Sequence, residues 1–160
     1  MSARVGLLVF VLVLGLAACT DSGIEDACSL LTDDEAEAVL GEPTREGVLD
    51  TDRTISGTFC EWLAQSSSTR ESDNAYELYI EERPAKDALD DFEDDRKDLA
   101  EEIDGLGDEA FLAEDGNVHI RTDDLIVLIG VSTDDRHDVG RAAQAAIARA
   151  AAELVAERLP

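Results

Sequence analysis

The first 19 residues constrain this chain more than any other part of it. After a single cation, Arg4, the sequence runs through 12 consecutive apolar residues and glycines from Val5 to Leu16. A helix needs about 20 such residues to cross the roughly 30 Å hydrocarbon core of a bilayer. A shorter apolar run behind a positive charge is typical of a secretory signal peptide. We therefore expect residues 1–18 to direct export and to be cleaved, so that the remaining chain builds the fold.

The apolar run ends in Leu16-Ala-Ala-Cys19. In this position the motif resembles a lipobox, in which diacylglycerol is attached to the cysteine thiol and a peptidase cleaves before it. Each buried methylene contributes about 0.8 kcal/mol, so two or three acyl chains such as palmitate hold a protein at a membrane durably. We expect Cys19 to be lipidated, residues 19–26 to form a tether, and residues 27–160 to form one domain outside the cell membrane. The alternatives are a plain secreted protein, in which Cys19 is only a small residue near the cleavage site, and an uncleaved anchor.

Acidic residues dominate the part of the chain that remains after cleavage. The formal net charge is −25 and becomes −26 without residues 1–18, because they contain one arginine and no acid. Such a domain repels nucleic acid and anionic lipid head groups, which excludes both as direct partners. About 140 residues are enough for one hydrophobic core and too few for two ordinary domains.

The three cysteines have two different expected roles, one as the lipid attachment site and two as a disulfide pair. If Cys19 carries lipid, Cys28 and Cys60 are left together in an oxidising compartment, where a disulfide is expected. This bond would stabilise the fold by about 3–4 kcal/mol. The alternative is a redox-active or metal-binding thiol pair, for which the sequence has neither CxxC spacing nor nearby histidines.

The pattern of apolar residues predicts the element order α-β-β-α-β-β-β-α. A capping box, Thr32 to Glu35, begins a helix that Gly41 and Pro43 end. The later elements are strands over 55–63 and 75–81, a helix from Pro84 to Leu99, strands over 109–113, 118–121 and 125–131, and an Ala-rich helix over 138–159. We predict an α+β fold with an antiparallel sheet of about five strands and helices packed on one face. The very apolar strand 125–131 is expected at its centre.

Several short motifs in this order are similar to a known family. They are Ala27-Cys28-Ser-Leu-Leu-Thr32, Leu40-Gly41-Glu-Pro43, Cys60-Glu-Trp62, Gly105-Leu-Gly-Asp-Glu-Ala110 and the Ala-rich last helix. Together they resemble the actinobacterial secreted lipoproteins grouped by a domain of unknown function. The resemblance implies a membrane-anchored α+β domain with a Cys28–Cys60 bridge and implies no activity. The extracellular sensor domains of mycobacterial kinases are similar in outline and are thought to bind small ligands, an analogy at the level of the fold alone.

Candidate chemical groups in the sequence are few. His119, on a strand, and His137, in a turn, lack the spacing of zinc ligands, and a Ser/His/Asp triad can be drawn through any acidic protein. Four acidic clusters could offer oxygen ligands to calcium but do not match a calcium-binding loop: Asp50-Thr-Asp52, Asp94-Asp95, Asp123-Asp124 and Asp134-Asp135. We therefore expect surface histidines and no catalytic residue, metal or cofactor. Trp62 and the tyrosines are expected on one face of the sheet, either in the core or lining an apolar pocket.

Two functions follow as expectations. The first is a non-enzymatic lipoprotein that binds a small ligand or an envelope protein in a cleft between the sheet and the helices. An apolar pocket with convergent polar groups would favour it. The second is a structural or interaction module that packs against a membrane-protein partner and has no pocket. An exposed apolar patch of several hundred Å² would favour this alternative.

Overall fold

A computed structural model of the chain describes residues 26–53, 56–65, 77–133 and 140–160. Within these ranges the chain is α+β, with one antiparallel sheet of seven strands and three α-helices. The elements are α1 (Asp33–Leu40), β1 (Val48–Asp50), β2 (Thr58–Leu63), β3 (Glu77–Pro84), α2 (Ala85–Asp95), β4 (Leu99–Glu102), β5 (Glu109–Ala113), β6 (Val118–Arg121), β7 (Leu125–Ser132) and α3 (Arg141–Ala156). Short 3₁₀ helices, Ala27–Leu30 and Arg96–Asp98, precede α1 and β4.

The strands lie in the order β1-β2-β3-β7-β6-β5-β4. The apolar strand β7 is therefore central, as its sequence predicts, and it pairs with β3 on one side and β6 on the other. The predicted capping box is also present, since Thr32 accepts the Glu35 N–H and Glu35 accepts the Thr32 N–H. The helix ends at Gly41, whose φ of 75° is left-handed. Local sequence signals thus set these boundaries correctly.

The prediction of about five strands is wrong by two. No strand is predicted from the sequence at β1, and of β4 only Leu99 is predicted, as the end of the second helix. Strand β1 has only three residues, and its Val48 and Leu49 are both exposed, so it lacks the alternation that identifies a half-buried strand. The second helix stops at Asp95, and Leu99 pairs with Ala113 of β5 instead of extending the helix.

The helices do not all lie on one face of the sheet, which corrects a second prediction. The disulfide face, as we name it, contains Cys60, Trp62 and Ile129 and packs against α1 and α3. The opposite face, which we name the α2 face, contains Phe111, Ala113 and Ile126 and packs against Ala88 and Phe92 of α2. Strands β5 and β7 are buried on both sides for this reason.

The disulfide face joins the start of the domain to its sheet. Cys28 and Cys60 are at disulfide distance, with Cα atoms 5.1 Å apart, as expected from the sequence. The Trp62 Nε1–H donates to Asp33 Oδ1 over 2.9 Å, and the Gly47 N–H donates to the same oxygen. A glycine is required there because a Cβ atom on Gly47 would lie 2.7 Å from Trp62 Nε1. Trp62 is thus a core residue, one of the two roles its sequence allowed.

An ion pair between Glu35 and Arg158 joins α1 to the end of the chain and predicts a pH effect. Arg158 donates to Oε1 and Oε2 of Glu35 over 2.7 and 2.9 Å, and together with the Thr32 N–H it lowers the pKa of Glu35 from 4.5 to about 2. A lowered carboxylate pKa stabilises the fold above the unfolded value, and this stabilisation is lost as the pH falls from about 4.5 to about 2.

We expect Glu35→Gln to lower the free energy of unfolding by about 1 kcal/mol at pH 7. Glutamine preserves the capping geometry, so the loss reports the charge. Urea unfolding at a series of pH values from 7 to 2 should show that the difference in free energy of unfolding between the variant and wild type becomes smaller as the pH falls. Glu37→Gln, an exposed site on the same helix, is the matched control and should leave stability unchanged. A constant difference at every pH would contradict this interpretation.

Candidate functional site

The candidate site is built around His119 in the middle of β6. Of the described residues, only two polar side chains are buried, His119 and Thr122. Thr122 is satisfied, since its Oγ1 accepts the Leu125 N–H over 3.1 Å. His119 is 4% exposed, and no described residue forms a hydrogen bond with its ring. The ring nitrogens of His119 are not among the enclosed side-chain atoms that lack a hydrogen-bond partner, so they remain accessible to water or to a ligand.

Aromatic rings hold the imidazole in place. His119 pairs with Phe111 across the β5–β6 ladder, and the two rings stack with centroids 4.7 Å apart and an interplanar angle of 7°. Phe92 of α2 meets His119 edge-on at 6.4 Å and Phe111 edge-on at 5.1 Å. The imidazole of His119 is therefore packed against two aromatic rings.

A carboxylate at the end of α2 faces this imidazole. Asp95 Oδ2 lies 3.7 Å from His119 Nδ1, which is beyond hydrogen-bond distance. Asp95 follows Phe92 by three residues, so both side chains lie on the face of α2 that packs on the sheet. The burial of Phe92 thereby determines where the Asp95 carboxylate is placed.

The β5–β6 turn brings a second carboxylate to the same place. Asp115 accepts both the backbone N–H of Asn117, over 3.0 Å, and its side-chain Nδ2–H, over 2.8 Å. The Tyr79 hydroxyl in turn donates to Asn117 Oδ1 over 3.1 Å. Tyr79 reaches Asn117 because Gly130 lies beneath it, where a Cβ atom would be 2.4 Å from the Tyr79 hydroxyl oxygen. Asp115 lies in the turn that joins β5 to β6, and Tyr79 and Asn117 fix its carboxylate there.

Cavities open on two sides of His119. The first, about 40 Å³, lies between α2 and the sheet and also reaches Asp95 and Phe92. The second is a groove of about 320 Å³ between the end of α2, the β5–β6 turn and the start of α3. We name it the His119 groove; its described lining is Asp95, Asp98, Ala113, Glu114, Asp115, His119 and Arg141. The smaller cavity has room for little more than one water molecule of about 30 Å³, whereas the groove is large enough for a small ligand.

The electrostatics of the site favour a neutral imidazole. Burial lowers the pKa of His119, and the charges of Asp95 and Asp115 oppose this effect. Burial also raises the pKa of Asp95, which the charge of a protonated His119 would lower. A neutral imidazole has one donor nitrogen and one acceptor nitrogen. The site can therefore accept one hydrogen bond on the ring and others on the carboxylates around it.

A second groove, about 370 Å³, follows the turn between β4 and β5. Three of its charged lining residues, Arg96, Glu102 and Glu109, already form ion pairs. Arg121 donates to Glu109 over 2.8 Å, Arg96 contacts the same carboxylate, and Arg96 lies 3.5 Å from Glu102. A ligand there would have to break these ion pairs, so the His119 groove is the stronger candidate.

The outcome for the residues selected from the sequence is mixed. Cys19, His137, Tyr76 and Asp134-Asp135 lie outside the described residues. The expectation of a surface histidine at His119 is wrong, because α2 covers the face of the sheet on which His119 lies. Tyr79 does not share a face with Trp62, since it is on the α2 face. Within the described ranges no three His, Cys, Asp or Glu side chains are placed to hold a metal ion.

The sequence places Asp95 only in an acidic pair that does not match a calcium-binding loop, and Phe92 is not predicted as a site residue, although a signal is present. Phe92 and Ala88 form an apolar stripe on an otherwise acidic helix, and β5 and β7 each contain adjacent apolar residues instead of strict alternation. Such strands require cover on both faces, and α2 is the element that provides it. The pairing of His119 with Phe111 depends on strand register, which the sequence does not display.

Comparison with known proteins adds no identification. A scan against models of protein families, a search of curated proteins and a search of solved structures each found no match to this chain. The resemblance to actinobacterial lipoproteins therefore stays a prediction. Among the described residues no helix has both the length and the apolar character needed to cross a bilayer.

Proposed function

We propose that this protein is an extracytoplasmic lipoprotein, anchored to the cell membrane through Cys19, whose domain binds a small ligand in the His119 groove without catalysing a reaction. One observation carries the proposal of a ligand: His119 is buried, lacks a hydrogen bond from any described residue, and lines a groove of about 320 Å³. Ligand sites typically combine such a volume, about 300–1,000 Å³, with a few fixed polar groups.

The position at which the described chain begins supports this proposal. The chain enters the described fold at Asp26, and the N–H of the buried Ala27 donates to Thr58 Oγ1 over 2.7 Å on the disulfide face of the sheet. His119 lies on the α2 face, and its groove extends from there past the β5–β6 turn to Arg141 at the start of α3. The first described residues therefore lie on the face of the sheet opposite His119 and are not among the described residues that line the groove.

Mass spectrometry of the full chain purified in detergent from native membranes tests both parts of the proposal. The denatured protein is expected to lack residues 1–18 and to have acyl chains on Cys19. Under native conditions we expect a fraction with the added mass of one small molecule, because a complementary ligand would satisfy the buried imidazole. His119→Phe, which preserves the aromatic stack on Phe111, is expected to abolish this added mass.

Two controls make the result specific. The thermal midpoint of His119→Phe must stay close to that of wild type, so that loss of the ligand cannot be attributed to unfolding. Leu89→Phe adds the same ring at an exposed position of α2 and should retain the ligand. An unprocessed, unacylated chain would contradict the anchor, and a ligand mass that His119→Phe leaves unchanged would contradict the groove.

A second candidate function, an interaction module for a membrane-protein partner, is favoured by the edge of the sheet. Strand β1 is the outermost strand, and its Val48 and Leu49 are 53% and 44% exposed. An open edge with apolar side chains can pair with a strand of another protein. Co-purification of a protein in place of a small molecule in the same measurement would favour this function.

A further inference from the structure

The lining of the His119 groove restricts the charge of the ligand. Four acidic residues line it from three segments: Asp95 ends α2, Asp98 lies in the following 3₁₀ turn, and Glu114 and Asp115 lie in the β5–β6 turn. Arg141 also lines the groove, and its Nη1 donates to the backbone carbonyl of Glu114 over 3.3 Å. An anionic ligand would meet four like charges here, whereas a cation would be attracted.

The acidic lining alone is not evidence for a ligand. The buried imidazole of His119 is a second, independent observation. The side chain of His119 is 6% exposed and is held by Phe111 and Phe92 at the wall of the groove. Its Nδ1 atom and Asp95 Oδ2 are 3.7 Å apart and do not satisfy each other. An N–H group of a ligand can donate to either atom, which would satisfy groups that the described protein leaves without a hydrogen bond.

The same lining argues against a bare metal ion. A divalent cation needs several oxygen or nitrogen ligands within about 2.0–2.6 Å of one point. No three His, Cys, Asp or Glu side chains of the described ranges converge in this way. An organic cation does not need this convergence, because its N–H groups extend to acceptors that lie apart from one another.

We infer that the His119 groove binds a small organic cation with a primary ammonium group, which donates hydrogen bonds to Asp95 and to the neighbouring acceptors of the groove. This inference rests on the proposed function and identifies the ligand class of the same site. The groove, at about 320 Å³, has a volume in the range of small-molecule sites.

The probe for this inference is n-butylammonium chloride, titrated into the full chain in detergent at physiological ionic strength. The side-chain NMR signals of His119 are the readout, because a general attraction of cations to the acidic surface would not move them in a saturable way. We expect saturable binding that Asp95→Asn weakens about tenfold or more, as loss of a charge-assisted hydrogen bond implies. Asp90→Asn makes the same change of charge at an exposed site of α2 and should alter the dissociation constant by less than about twofold.

The outcomes separate the ligand class from the function itself. If Asp95→Asn and Asp90→Asn weaken the binding of n-butylammonium equally, the attraction is non-specific and the inference is overturned. The inference is also overturned if MgCl₂ displaces n-butylammonium at a lower concentration than a second primary amine does. If n-butylammonium does not bind while the native mass still shows a ligand lost in His119→Phe, the ligand class is wrong and the proposed function stands. If both measurements fail, the proposed function falls with the inference.

Discussion

Replacing Cys28 and Cys60 together with alanine is expected to lower the free energy of unfolding by about 3–4 kcal/mol. The two residues are separated by 32 positions, and the bond joins the first turn of the domain to the buried strand β2. Closing a loop of this length restricts the unfolded chain strongly, and a domain of this size has a total stability of only about 5–15 kcal/mol. Urea unfolding of the double variant beside wild type measures the loss.

Reductant provides the internal control for this prediction. Wild-type protein treated with dithiothreitol should lose nearly the same stability, whereas the double variant should not respond to it. Alanine at the buried Cys60 also removes a sulfur atom from the core, so the variant should be slightly less stable than the reduced wild type. If the free energy of unfolding of the double variant lies within about 1 kcal/mol of that of the oxidised wild type, the disulfide contributes little to stability.

The features that the sequence predicts correctly are local ones. The capping box at Thr32 and the helix end at Gly41 each depend on residues within four positions of one another. Strand β7 was placed centrally because its apolar residues cannot face water on either side. In these cases the physical cause lies inside the segment, so that a single sequence is sufficient.

The errors concern relations between distant segments. Strands β1 and β4 are held by pairing with β2 and β5, not by an apolar pattern of their own. The expectation of a surface histidine at His119 is a second error of this kind. The burial of His119 depends on Phe92 from another element and on register with Phe111. The candidate site could not be predicted from the sequence, because it too depends on contacts between distant segments.

Truncating Phe92 to alanine is expected to lower the free energy of unfolding by about 3–5 kcal/mol. Phe92 is 1% exposed and is the largest side chain by which α2 contacts the sheet. It touches both aromatic neighbours, Phe111 and His119, edge-on. Urea unfolding measures the loss, and amide hydrogen exchange should show faster exchange in α2 than in the central strand β7.

Leu89→Ala is the matched control, since Leu89 lies on the same helix, is 43% exposed, and should cost less than about 0.5 kcal/mol. Equal losses of stability in the two variants would contradict the packing of α2 through Phe92.

The Phe92→Ala variant also tests the binding site, because Asp95 lies one turn beyond Phe92 and is positioned by it. If α2 detaches in Phe92→Ala under conditions in which the sheet stays folded, the ligand mass should disappear as it does in His119→Phe. Retention of the ligand by a protein whose α2 amides exchange freely would mean that the binding site does not include α2, and the His119 groove would have to be abandoned as its location.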